Sequence, residues 1–361
     1  MSTLKTDALS STDFPQDILV DGVGNLKHVV TSSASAPSSP ANGNVWYDTS
    51  VNAFKIYVNS EWFTLTSFEA GFGVGTRGVF GGGYDSSFNY SNVMDYITIS
   101  TPGNATDFGN LTNYSAQLAG LSNGTRGVFG GGYYTNDVNV IQYITVANTG
   151  NATDFGDLTQ ATRAIAGTSG ATRGLFGGGD PGGSATNVIQ YITIATTGNA
   201  TDFGDLTVAR KGGGAAASPF RAVFAAGAPA SGTQNTIDYQ NLATTGNATD
   251  FGDLTAARWR LSGCTDGSRA LFAGNASGYS NVIDYITIST PSNAADFGDL
   301  LINNEHMGAC SNGPRGVFGG GRPQGQFTNV IQYLTIGTIG NATDFGDLTV
   351  SREGLAGLSG T

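Results

Sequence analysis

Histidine and cysteine are scarce in this chain of 361 residues, which has two of each. Because His28 and His306 are far apart in the sequence, a multi-histidine metal centre or a histidine-based catalytic triad has few residues from which to form. Cys264 and Cys310 each lie five residues before an arginine of the repeat described below. A buried, reduced pair is favoured over a disulfide at these equivalent positions. We therefore expect no metal site and no cofactor.

Charged residues are also few, at 12%, and the cations are outnumbered, with 16 Lys and Arg against 27 Asp and Glu. A net charge of −11 repels nucleic acid and anionic membranes, because phosphate binding needs clustered cations. No run of about 18 apolar residues occurs, and the N-terminus lacks the pattern of a secretion signal. We expect no nucleic-acid partner, no membrane insertion and synthesis in the cytoplasm.

Glycine is abundant instead, with 55 residues that show no collagen-like period of three. Aromatic residues make up 10% of the chain, and β-branched residues are common. This mixture favours short strands joined by tight turns and argues against disorder.

A repeat runs through most of the chain. The arginine before each glycine-rich run recurs at spacings of 49, 47, 48, 48 and 46 residues, and the phenylalanine of an Asp-Phe-Gly motif keeps step with it. Because the spacings of the two markers vary together by only a few residues, they indicate six copies of one unit. The arginines are Arg77, Arg126, Arg173, Arg221, Arg269 and Arg315, and the phenylalanines are Phe108, Phe155, Phe203, Phe251, Phe297 and Phe345.

Each unit contains four predicted strands. In one copy, residues 173–179 form a short apolar strand that ends in glycines, and residues 187–194 alternate as a two-sided strand. Residues 202–207 supply another strand, and a stretch rich in Ala and Gly, such as 164–169, supplies the small residues that suit an inner strand. Six such units predict an all-β propeller rather than a solenoid.

Several positions of the unit resemble the kelch repeat. They are a second strand that ends in Gly-Gly, a following tyrosine, an aromatic residue three before a leucine, and an arginine. Phenylalanine stands where kelch repeats usually carry tryptophan, so the resemblance is to a divergent member of that family. It covers about residues 66–361 and implies a kelch-like β-propeller. In one copy the residues are Gly177, Gly178, Tyr191, Phe203, Leu206 and Arg210.

Strand counting favours seven blades over six. The small-residue strand occurs seven times, including residues 68–75 and 353–360. Residues 44–66 can form a shortened unit, so that 44–66 and 353–361 together make a closing blade of a propeller that spans 44–361. Such closure leaves no exposed blade edge. The alternative is six blades with 44–66 as a separate N-terminal hairpin.

The repeated charged residues are predicted to be structural. Asp154 and Asp157 flank Phe155, but two carboxylates are fewer than a calcium loop needs, and their recurrence argues for turn capping and hydrogen bonding between blades. We assign structural roles to the equivalent Phe203 and to Arg126 and Arg173. A further set of arginines is predicted to occupy one equivalent position and to hydrogen bond between blades: Arg163, Arg210, Arg258 and Arg352.

Function is expected where the repeats differ. The loop after the glycine-rich strand varies in length and chemistry, whereas the turn between the third and fourth strands is nearly invariant. In an up-and-down blade these two loops lie on opposite faces, so one face is varied and the other uniform, and varied loops on a rigid scaffold are where binding sites tend to lie. The candidate ligand-binding residues are Tyr84, Phe88, Tyr90, Tyr133, Tyr134, Tyr279, Arg322 and Phe327.

Residues 1–43 form a distinct N-terminal arm that ends in a linker rich in Ser, Ala and Pro. The opening Met-Ser-Thr-Leu-Lys-Thr-Asp and Val-Asp-Gly-Val-Gly-Asn-Leu are similar to the start of many tail-fibre and related structural proteins of marine bacteriophages. Residues 37–63, with their Asn-Gly, Trp-Tyr-Asp and Tyr-Val-Asn elements, resemble a module of the same proteins. The resemblance implies a virion structural protein, of tail-fibre, neck-fibre, decoration or adhesin type, whose arm docks on other virion proteins.

Binding of a host-surface glycan or protein, without catalysis, is the function that these features favour. The copy number stays open, and a homo-oligomer is one arrangement that the sequence allows. A carbohydrate-active propeller enzyme is one alternative, but it needs carboxylates, Tyr and Arg that converge in one blade only, and the sequence shows no such constellation. An intracellular kelch-type scaffold is the other alternative.

Overall fold

The computed structural model describes residues 30–40, 44–48, 53–58, 61–65, 76–275 and 280–360. The chain divides into two compact units, Met1–Phe68 and Glu69–Thr361. Within the described ranges, no helix has the length and apolarity that a membrane crossing would require.

The first unit contains a four-stranded sheet in the order β1-β2-β3-β4. The strands β1 and β2 pair in parallel and the others pair antiparallel. Trp46 is buried, and its indole Nε1 donates a hydrogen bond to the Ser33 carbonyl oxygen at 3.1 Å. The strands are β1 (Val30–Ser33), β2 (Val45–Asp48), β3 (Ala53–Val58) and β4 (Glu61–Leu65).

The second unit is a propeller of six four-stranded antiparallel sheets. Blade 1 contains β5 (Arg77–Gly81), β6 (Val93–Thr98), β7 (Thr106–Asn110) and β28 (Ala356–Gly360). Blade 2 contains β8 (Ala119–Ser122), β9 (Arg126–Gly130), β10 (Val140–Thr145) and β11 (Thr153–Asp157). Blade 3 contains β12 (Ala166–Ser169), β13 (Arg173–Gly177), β14 (Val188–Thr193) and β15 (Thr201–Asp205).

The remaining blades repeat this order of strands. Blade 4 contains β16 (Gly214–Ala217), β17 (Arg221–Gly227), β18 (Gln234–Asn241) and β19 (Thr249–Arg258). Blade 5 contains β20 (Ser262–Thr265), β21 (Arg269–Ala273), β22 (Val282–Thr287) and β23 (Ala295–Asp299). Blade 6 contains β24 (Gly308–Ser311), β25 (Arg315–Gly319), β26 (Val330–Thr335) and β27 (Thr343–Asp347). The innermost strands of neighbouring blades contact one another in a closed ring around the axis.

The last strand closes the ring. β28 pairs antiparallel with β5, with Ala356 opposite Gly81 and Leu358 opposite Val79, so the end of the chain supplies the inner strand of blade 1. The preferred seven-bladed prediction, with 44–66 in a closing blade, is therefore wrong, and its six-bladed alternative is confirmed. β2, β3 and β4 form the predicted strands but pair with β1. The other small-residue segment, 68–75, lies outside the described residues.

The repeat arginines join each blade to the next. Arg126 stacks on the ring of Tyr143, 4.3 Å from its centroid, and donates a hydrogen bond to the carbonyl oxygen of Ile194 in blade 3 at 2.9 Å. The same tyrosine meets Phe155 edge to face. Six arginines hydrogen bond around the ring in this way, and Arg315 of blade 6 completes it on the carbonyl oxygen of Ile99 in blade 1. They are Arg77, Arg126, Arg173, Arg221, Arg269 and Arg315. The counterpart of Phe155 in blade 3, Phe203, meets Tyr191 in the same manner.

The Asp-Phe-Gly-Asp motif contacts the neighbouring blade through its backbone. The N–H of Asp157 donates a hydrogen bond to Oδ1 of Asn199 at 3.0 Å. Gly156 has a φ of 145°, and a Cβ there would lie 2.5 Å from the carbonyl oxygen of Gly198, so the close approach requires glycine. Asp154 is exposed on the outer strand. In the described part of the chain, no group of three or more His, Cys, Asp or Glu side chains could hold a metal ion.

Cys264 and Cys310 are free and buried in the inner strands of blades 5 and 6. This confirms the favoured interpretation of a reduced pair. Burial raises the pKa of both thiols, so they are protonated and unreactive at neutral pH.

Candidate functional site

The varied loops and the loops that follow the fourth strands meet on one face of the propeller, which we call the varied face. Backbone bridges join them at successive blade junctions, as between Tyr84 and Glu353, and between Arg163 and Asp180. Two variable segments are therefore held side by side at each junction. The loops after the fourth strands thus contribute to the varied face as well, although every candidate residue chosen from the sequence lies in a loop after a glycine-rich strand.

A ring of backbone hydrogen bonds surrounds the axis on this face. Six residues with a positive φ, one from each blade junction, each donate their N–H to the carbonyl oxygen of the residue at the preceding junction, at 2.6 to 3.1 Å. The ring narrows the mouth of a central channel of about 120 Å³, which is lined mainly by small residues of the inner strands. There the backbones are so close that a Cβ on Gly357 would lie 2.3 Å from the Ala309 carbonyl oxygen. The six residues are Gln117, Ala164, Gly212, Arg260, His306 and Gly354.

Three of these six positions carry large polar side chains, and two of them, Arg260 and His306, belong to a cluster at one side of the axis. Nη1 of Arg260 lies 3.4 Å from Glu305, Nδ1 of His306 lies 3.5 Å from Glu353, and Nη1 of Arg322 lies 3.3 Å from Glu353. Tyr84 also pairs with Glu353 along the backbone, where the N–H of each residue donates to the carbonyl oxygen of the other, at 3.0 and 3.1 Å. We call these residues the axial cluster: Tyr84, Arg260, Glu305, His306, Arg322 and Glu353.

The pKa values of the axial cluster shift with burial and with these contacts. Burial raises the pKa of Glu353, but its contacts with His306 and Tyr84 and the charge of Arg322 outweigh that effect, so the net pKa is lowered. Burial lowers the pKa of His306 and raises that of Tyr84. Burial also raises the pKa of Glu305, against the opposing charge of Arg260. At neutral pH the centre of the cluster is thus an ionised Glu353 beside a neutral imidazole and a neutral phenol.

Seven aromatic rings form a continuous belt that shares Tyr84 with the axial cluster. Neighbouring ring centroids lie 5.4 to 6.0 Å apart, from Phe327 in blade 6, across the blade 1 loop, to blade 2. Arg322 lies over Phe327 and Phe88, at 5.3 and 5.8 Å from their centroids. Phe88, Tyr114 and Tyr134 are exposed. We call this set the aromatic belt, and its members are Phe327, Phe88, Tyr84, Tyr90, Tyr133, Tyr134 and Tyr114.

The structure thus brings together seven of the eight predicted binding residues, and Tyr279 lies outside the described residues. Tyr114, in a loop after a fourth strand, was not predicted. Phe88 has a φ of 59°, which a bulky residue rarely adopts. Asp85 holds this turn, because its Oδ1 accepts hydrogen bonds from the N–H groups of Ser87 and Asn89. A strained, exposed aromatic residue at a loop tip is more typical of a functional contact than of tolerated drift.

A second polar cluster lies across blades 2 to 4 on the same face. Arg163 contacts Asp137 at 3.3 Å and Asp180 at 3.2 Å, and Nζ of Lys211 lies 2.8 Å from Asp180. The prediction that Arg163 shares the position of the other repeat arginines is wrong. Arg163 is equivalent to Lys211, one residue further on, where the side chain faces the varied loops. The predicted position is confirmed for three buried arginines that pair with aspartate across blade junctions: Arg210, Arg258 and Arg352.

The axial cluster is a constellation of carboxylates, tyrosine and arginine that the sequence analysis did not find. Its residues come from loops at different blade junctions, so no local sequence motif predicts the cluster. A signal was nevertheless present, because Glu305 and Glu353 are the two glutamates that follow Glu69, and His306 is one of two histidines. Rare residue types at equivalent positions of a repeat indicate a site.

The varied face combines aromatic surface with charged side chains. The aromatic belt offers apolar faces and edges, and the cations beside it offer charged hydrogen bonds. Comparison with known proteins gives no matching family model and no similar curated protein.

Proposed function

We propose that this chain is a non-catalytic binding protein that captures a glycan or a protein on the varied face of a kelch-like propeller. One observation carries the proposal: seven aromatic rings from four loops in three blades make continuous contact on the face whose loops differ from blade to blade. Aromatic side chains at exposed positions supply large contact areas with little conformational entropy to lose, as binding surfaces require. The uniform face carries the repeated turns.

The proposed setting is a bacteriophage particle. The N-terminal resemblance supports a virion structural protein, of fibre, decoration or adhesin type, in which residues 1–43 attach to other virion proteins and the propeller is displayed towards the host surface. Residues 1–29 and 41–43 lie outside the described residues, so the support for this step is the sequence. A rigid ring that is closed by its own last strand suits a module displayed outside the cell.

Purified particles test this setting directly. We expect mass spectrometry to detect the chain in particles freed of host protein, and particles assembled with a variant lacking residues 1–43 to have lost it. Detection of the chain in infected-cell lysate but not in particles would contradict the proposal and favour an intracellular scaffold. Retention of the shortened chain would show that the arm is not the attachment segment.

Glycan cleavage is a second candidate function, favoured by the axial cluster. Tyr84 and Glu353 are neighbours through their backbone hydrogen bonds, and a tyrosine beside a carboxylate can serve as a nucleophile with its base, with Glu305 as a second carboxylate. Against it, burial raises the pKa of Tyr84, and both carboxylates have arginine partners. Release of reducing ends from a host polysaccharide that stops with Glu353→Gln would establish this candidate in place of simple binding.

A further inference from the structure

The cations of the propeller fall into three groups with different tasks. Thirteen of the sixteen Lys and Arg residues lie at or after Arg77. Six are the repeat arginines that stack on tyrosine and bond the next blade, and three are buried with aspartate between blades. The remaining four all lie on the varied face. They are Arg163, Lys211, Arg260 and Arg322.

Each of these four cations covers a carboxylate that lies deeper. Their side chains are 22 to 28% exposed, whereas the partner acids Asp137, Asp180, Glu305 and Glu353 are 13% exposed or less. The ion pairs are therefore oriented with the positive end towards solvent. A guanidinium has five N–H donors, and the described contacts of Arg322 use Nε and Nη1, so donors remain for a ligand.

The acidic residues show the opposite distribution. Eleven aspartates lie on the fourth strands, which are the outermost strands of the blades, and they give the rim its negative charge. They are Asp107, Asp154, Asp157, Asp202, Asp205, Asp250, Asp253, Asp296, Asp299, Asp344 and Asp347. A protein of net charge −11 thus presents cations at the centre of one face within an acidic rim. Because each cation is paired with a carboxylate, the four pairs have no net positive charge, and an anion is attracted at short range by their exposed cationic ends.

We propose that the ligand of the varied face is an acidic glycan, whose sugar rings stack on the aromatic belt while its carboxylate or sulfate groups bind the four outward cations. This inference rests on the proposed binding function and narrows its ligand class. Two cations lie against belt rings, because Arg322 covers Phe88 and Phe327, and Arg163 lies 4.7 Å from the Tyr133 centroid. Alternating apolar and cationic groups match a polymer of apolar ring faces and regularly spaced anions better than they match a protein surface.

The test compares acidic polymers with their neutral counterparts. The full chain is titrated with polygalacturonate and its methyl ester, and with dextran sulfate and dextran, by calorimetry at two salt concentrations. We expect at least one acidic form to bind more tightly than its neutral counterpart, with an affinity that falls as salt is raised. Replacing both arginines, Arg163→Met with Arg322→Met, is expected to weaken binding about tenfold or more.

A variant that is expected to strengthen binding distinguishes a loss of ligand contacts from damage to the fold. Asp137→Asn frees Arg163 from one carboxylate and is expected to strengthen binding, whereas a merely structural role would weaken it. Equal affinity for acidic and neutral forms, no binding to any of the polymers, or weaker binding with Asp137→Asn would overturn the acidic ligand. If the chain still binds host cells, and if replacing Phe88 and Tyr134 by alanine weakens that binding, the proposed binding function survives the loss of the acidic ligand. If either condition is not met, both proposals fail.

Discussion

Replacing Arg352 by alanine is expected to lower the free energy of unfolding by about 3–5 kcal/mol, because it leaves a buried carboxylate without its partner. Arg352 and Asp95 are fully buried, and Nη2 of the arginine lies 2.8 Å from Oδ2 of the aspartate. The same guanidinium donates hydrogen bonds to the carbonyl oxygens of Phe80 and Val93. The pair therefore joins the loop between β27 and β28 to blade 1, beside the closing strand β28. Urea unfolding of wild type and variant measures the loss.

The chain itself supplies the control for this prediction. At the junction of blades 1 and 2 the equivalent residues are Ser115 and Gln142, and Gln142 accepts hydrogen bonds from Thr112 as aspartate does elsewhere. The double variant Arg352→Ser with Asp95→Gln carries no unpaired charge, so we expect it to recover most of the lost stability. A double variant no more stable than Arg352→Ala would show that the cost does not come from the stranded carboxylate.

Removing two exposed rings of the aromatic belt is expected to abolish most of the binding to host cells. Phe88 is 58% exposed and Tyr134 is 46% exposed, in blades 1 and 2 of the varied face. Truncation of an aromatic anchor at the centre of an interface typically costs about 2 kcal/mol or more. We therefore expect Phe88→Ala with Tyr134→Ala to weaken binding of labelled protein to host cells by well over tenfold, as measured by flow cytometry.

A matched control lies outside the varied loops. Ile339 is as exposed as Phe88 and lies in a turn between a third and a fourth strand, on the uniform face. Ile339→Ala removes apolar surface of a similar kind, and we expect it to leave binding unchanged. Equal losses in the two variants would place the ligand elsewhere or make the contact non-specific. Unchanged binding in the double variant would remove the aromatic belt from the ligand site.

The features that repeat along the chain could be predicted from the sequence alone. Six arginines and six phenylalanines in step predicted the units, and the strand order inside each blade followed from alternation and glycine-rich ends. Closure of the ring could not be deduced in the same way, because the small-residue strand of blade 1 has two matching segments, 68–75 and 353–360. β28, from the second segment, pairs with β5, and residues 68–75 lie outside the described residues. Strand counting consequently gave one blade too many.

The site was predicted in part for a similar reason. Loop aromatics could be recognised because they depart from a repeat, and seven of the eight chosen residues do converge. The axial cluster could not, since Tyr84 approaches Glu353 only when the first and last blades meet. The assignment of Arg163 failed by one residue. Aligning the positive-φ residues Ala164 and Gly212 would have corrected it.

A fragment that begins at residue 76 tests whether six blades closed by β28 form a complete propeller that carries the proposed binding site. It contains every strand of the propeller and omits the sheet of β1 to β4. We predict a monomeric fragment whose thermal midpoint matches that of the propeller in the full chain and whose affinity for the ligand is unchanged. A fragment that aggregates, unfolds at a much lower temperature or no longer binds would contradict the six-bladed closure and the placement of the site within it.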